Sequence, residues 1–127
     1  MNAHVTLTKA LADYQFALNE LMRPEEDVVL LSACYSVKNA FRGFLAGYLA
    51  SRGVKHSPDE NIESLMSKCV HEDINFLRFD LDKLNCKCDN GECSTPSYCM
   101  TFPQVKECVD LVSELGSFVV TNAEPGQ

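Results

Sequence analysis

The chain has 127 residues, 46% of them hydrophobic and 23% charged, with a formal net charge of -7. That length suits one domain around one core, and the composition is that of a soluble globular chain, not a disordered or membrane-embedded one. An acidic surface repels phosphate backbones and argues against an extended nucleic-acid footprint, although a local basic patch can still hold a nucleotide.

The opening residues Met1-Asn2-Ala3-His4-Val5-Thr6 carry no basic stretch and no long apolar run, so no secretion signal is expected. The longest apolar run lies around 28–31 and is too short to span a bilayer. The expected address is the cytoplasm.

Helical periodicity begins at about 8–23, where Leu7, Leu11, Tyr14, Leu18 and Leu21 recur at three- and four-residue steps. Ala10, Ala17 and Met22 widen that stripe, Thr6 or Thr8 is the expected N-cap, and Pro24 is the expected stop. Pro24-Glu25-Glu26-Asp27 then opens a second and longest helix over about 25–52, with acids at the positive end of its dipole. Leu30, Cys34, Val37, Phe41, Phe44, Tyr48 and Leu49 form one broad stripe, and Val29, Ala33 and Ala40 add a second face. A helix apolar on more than one side belongs in the middle of a bundle. Gly43 and Gly47, one turn apart, cost helix stability and imply a close helix contact, within the chain or across a homodimer.

Gly53 ends that helix as a C-cap glycine, and residues 56–61 read as a loop. Ile62, Leu65, Met66 and Cys69 mark a short third helix, and Ile74, Leu77, Leu81 and Leu84 a fourth over about 73–84. Residues 85–102 break the pattern with Gly91, Pro96 and several Ser, Thr and Asn. Pro103 opens the last helix, with Val105, Cys108, Val109, Val112, Leu115 and Val119 in step. No strand alternation and no repeat occur. The expected fold is all-α, an antiparallel bundle of about five helices, forming a single domain over 1–122 with a frayed polar tail at 123–127.

The segment Ala33-Cys34-Tyr35-Ser36-Val37-Lys38-Asn39-Ala40-Phe41-Arg42-Gly43-Phe44-Leu45-Ala46, continued by Leu49-Ala50-Ser51-Arg52-Gly53-Val54 and Ile62-Glu63-Ser64-Leu65-Met66, resembles the second and third helices of HEPN domains. The resemblance implies a helical bundle of the nucleotidyltransferase substrate-binding-subunit type. It also implies a homodimer or a nucleotidyltransferase-type protein partner, and a nucleotide as ligand. Members that are ribonuclease toxins carry Arg, four to six residues, then His. Here no His follows Arg78, Asn85 stands near that slot, and Arg52 and His56 have only three residues between them. Where the family often has Thr-His before the third helix, this chain has Asp59-Glu60. The motif is absent, and with it the proton shuttle that His supplies near neutral pH. No catalytic residue is assigned, so the first expectation is a non-catalytic binding module, and the alternative a diverged ribonuclease using Arg78.

Seven cysteines make an incomplete disulfide framework. Cys34, Cys69 and Cys108 fall on helical apolar faces, where a free thiol packs as a small hydrophobe. Cys86, Cys88, Cys93 and Cys99 crowd into one loop with the spacing C-x-C-x4-C-x5-C. Four thiolates suit a structural zinc; a disulfide or redox-responsive loop, and an inert cysteine-rich loop, are the other readings. Lys38 and Arg42, four apart on one helix face, and Arg78 are the candidate nucleotide- or phosphate-binding residues. A solvated helix face is the reading favoured over such a pocket, because surface Lys and Arg are mostly just exposed. His56 and His71 read as surface or capping residues near helix ends.

Overall fold

The computed structural model describes residues 3–24, 30–57, 59–80 and 102–122. Within them lie four α-helices and one 3-10 turn, with no strand: α1 (Ala3–Leu21), α2 (Leu30–Ser51), α3 (Ile62–Glu72), the 3-10 turn (Ile74–Arg78) and α4 (Phe102–Asn122). The all-helical expectation holds. None of the described helices is long and apolar enough to cross a membrane.

Helix α2 touches α1, α3 and α4, which makes it the central element. Ala33, Cys34, Val37, Ala40, Phe41, Phe44, Leu45, Tyr48 and Leu49 are all buried on it, so both of its predicted faces are covered. Its expected start at Glu25, and Val29 on its second face, lie outside the described residues.

Close approach to α1 is set by glycine. A Cβ on Gly43 would stand 2.9 Å from Ala10 Cβ, and one on Gly47 would stand 2.5 Å from Leu7 Cδ2. The glycine contact expected from the sequence is therefore made within the chain. Residue 7 meets 47 and residue 10 meets 43, so α1 and α2 run in opposite directions. On its other side α2 sets Phe44 against Gly116 of α4.

Two expectations need correction. Helix α1 starts at Ala3, so Thr6 and Thr8 lie inside it and cap nothing. Its buried face is also narrower than its apolar stripe: Ala10, Ala17 and Glu20 are buried, while Leu11 is 46% exposed.

The segment after α3 is the second correction. Asp73 caps a 3-10 turn, its side chain accepting from Asn75 N at 2.9 Å. Three residues per turn put Phe76 and Phe79 on one side, and both are buried, while Ile74 and Leu77 are 70% and 64% exposed. Phe76 stacks edge-on against Tyr48 at 4.7 Å and Phe118 at 5.0 Å. The rest of the expected fourth helix, 81–84, lies outside the described residues. Helix α4 buries Val105, Cys108, Val109, Val112, Leu115 and Val119 as its periodicity predicts.

Candidate functional site

The end of α2 decides where the next loop goes. Gly53 takes φ +71°, a left-handed conformation that favours glycine. Val54 N donates to Leu49 O at 2.9 Å and Gly53 N to Ala50 O at 3.2 Å. This pair of bonds is the Schellman motif, and Val54 packs on the core beside it. The chain is thereby reversed and carried back beside α2.

Residues 55–57 and 59–61 are then fastened at several points. Ser57 Oγ accepts from Asp59 N at 3.2 Å, and Ser57 N donates to Glu60 Oε1 at 3.0 Å. The Glu60 carboxylate also accepts from Ser64 Oγ and from Lys68 Nζ, the latter at 2.9 Å. These donors, the Ser64 hydroxyl first, then Lys68 and the Ser57 amide, hold the Glu60 carboxyl down to about 2. Lys68 Nζ donates in addition to Lys55 O at 3.2 Å, and Arg42 Nη1 to Glu60 O. Asn61 caps α3, accepting from Ser64 N at 2.8 Å. The loop is held to α3 through Lys68 and to α2 through Arg42.

Between this loop, α1, α2 and α3 lies a cleft of about 350 Å³. Its apolar lining is Val5, Ala10, Gly43, Ala46 and Leu65, and its polar lining is Thr6, Lys9, Asp13, Asn39, Arg42, His56 and Ser57. The cause of the cleft is local. Ala10, Gly43 and Ala46 bring too little side chain to fill the space that α1, α2 and the returning loop enclose.

His56 lines this cleft, and one of its ring nitrogens is unpaired among the described residues. Its Nδ1 lies 3.4 Å from Val54 O, a hydrogen bond in the form that carries the hydrogen on Nδ1. Its Nε2 is buried and has no hydrogen-bond partner among the described residues. A buried ring nitrogen without a partner is costly. Arg42 uses one donor on Glu60 O, and its planar fork carries more. Lys9 is paired with Asp13 at 3.1 Å on the cleft edge.

Of the basic residues singled out in the sequence, Arg42 lines the cleft and Lys38 does not. Arg78 is elsewhere: its guanidinium stacks on the Phe79 and Phe118 rings at 4.8 and 4.9 Å. Arg52 similarly covers Tyr48 at 5.0 Å and donates to Asn122 O at 3.0 Å. The Tyr48 hydroxyl is buried without a hydrogen-bond partner among the described residues, and burial pushes its phenol up. Cys86, Cys88, Cys93 and Cys99, the whole loop 85–101 and the tail 123–127 lie outside the described residues. Among those described, no group of three His, Cys, Asp or Glu side chains is placed to hold a metal. Cys34, Cys69 and Cys108 are buried thiols.

Sequence reasoning missed His56, Lys9 and Asn39. Their signal was present only in part: Arg52-Gly53 marks a helix end, but the spacing does not say where the reversed chain will land. A second groove of about 320 Å³ runs between α1 and α4, lined by Leu11, Tyr14, Val112, Gly116 and Val120 among others. Comparison with known proteins adds no relative: no family model matches the sequence, and no curated protein or solved structure matches it.

Proposed function

We propose that the chain is a binding module that holds a small anionic ligand in the cleft between α1, α2, α3 and the loop 52–61. The observation that carries this reading is the largely apolar cleft itself, with Arg42 and His56 in its lining. A mostly apolar hollow with a few polar groups turned to it is the usual form of a small-molecule site. The HEPN-like character of the bundle belongs to the same proposal. It is supported by the segment 33–66 and by a central α2 followed by a short α3, and it implies a homodimer or a nucleotidyltransferase-type partner. Sedimentation at one chain mass at high protein concentration would remove the homodimer. The cleft is tested by nitrogen-detected NMR of the full chain with a panel of small organic acids. Resonances of Gly43, His56 and Ser57 should move together and saturate; a panel that leaves all three unmoved removes the reading.

A second reading has one observation in its favour. The cleft puts an imidazole and a guanidinium on the same hollow, the residue types that metal-independent RNA cleavage uses for proton transfer and phosphate charge. In this form the diverged ribonuclease would work through His56 and Arg42 and not through Arg78. RNA cleavage lost in His56→Ala and kept in Arg78→Ala would establish it, and no cleavage by the parent chain would dismiss it.

A further inference from the structure

We draw no further inference here: the strongest candidate, the groove between α1 and α4 lined by Leu11, Tyr14, Val112, Gly116 and Val120, is an unpartnered face with nothing in the structure to show what covers it.

Discussion

Gly43→Ala probes the contact between α1 and α2 most directly. A Cβ at position 43 stands 2.9 Å from Ala10 Cβ and 3.4 Å from Ala10 Cα. Carbon atoms settle at about 3.5–4.0 Å, and both neighbours are fixed to the α1 backbone, so α1 itself has to shift. Overpacking of this kind costs about 1–3 kcal/mol. The same change gains about 1 kcal/mol of helix propensity. The expected balance is a loss of about 1 kcal/mol, or about 3–6 °C in Tm for a domain of this size. Gly47→Ala is the control. There the close atoms are Leu7 Cδ2 and Cγ at 2.5 and 2.7 Å, the outer end of a half-buried side chain. A rotamer change costing about 0.5–1.5 kcal/mol relieves it, which the propensity gain roughly offsets. Urea denaturation at unchanged m value should therefore place Gly43→Ala below the parent and Gly47→Ala level with it. Ala10→Gly should cost less in the Gly43→Ala background than in the parent, because it removes the clashing carbon. If Gly43→Ala is as stable as Gly47→Ala, or Ala10→Gly costs the same in both backgrounds, backbone-to-backbone crowding does not set this interface.

Phe76→Ala should cost about 3–5 kcal/mol, while Leu77→Ala next to it, on a side chain 64% exposed, should stay within about 0.5 kcal/mol; denaturation midpoints that put the two level would restore the α-helical reading of this segment. Glu60 has a folded pKa of about 2 against an ordinary 4.5, so its contribution to stability is whole above about 4.5 and fades as pH falls towards 2. Carboxyl-detected NMR titration reads this value, and Ser64→Ala should raise it; a Glu60 titration at its ordinary pH would contradict the network. Asn61→Ala should cost about 1 kcal/mol through the lost α3 cap, and Asn61→Asp much less, as read from thermal melts. The Cys69 thiol is pushed up to about 12 by burial and by the nearby Glu72, and it lies 3.6 Å from Leu45 O. Alkylation followed by mass spectrometry should leave it unmodified in the folded chain and modify it in urea.

Helices α2 and α4 were legible because their packing follows apolar periodicity alone. Every described residue of the α2 stripe whose side chain is placed is buried, and α4 begins one residue before Pro103. Helix α1 was legible as a helix and misleading as a face. Hydrophobicity selects Leu11, but Gly43 of α2 takes Ala10 against it, and that preference belongs to the pair of helices and to neither sequence alone. The segment 73–80 failed differently. Ile74, Leu77, Leu81 and Leu84 match an α period, whereas a 3-10 turn superimposes residues three apart, and two phenylalanines outweigh the exposed aliphatics. For the cleft, Arg42 was legible as a cation on α2 and His56 only as a histidine near a helix end. What joins them is the turn at Gly53, a three-dimensional consequence of one residue's φ.

The same small residues that let α1 lie close against α2 also create the cleft. Packing density is high where Phe41, Phe44 and Tyr48 meet the core, and each of them is essentially fully buried. On the α1 side, Ala10, Gly43 and Ala46 take the places where larger side chains would fill the hollow. Natural interiors leave few voids larger than a water molecule, and atoms facing a void lose dispersion contacts. The cleft of about 350 Å³ is open to solvent and so is a groove and not such a void. The anchors Lys68–Glu60, Ser64–Glu60 and Arg42–Glu60 O hold the loop beside it. An apolar lining that also carries the Arg42 guanidinium and the His56 ring is the physical reason to look for a ligand there.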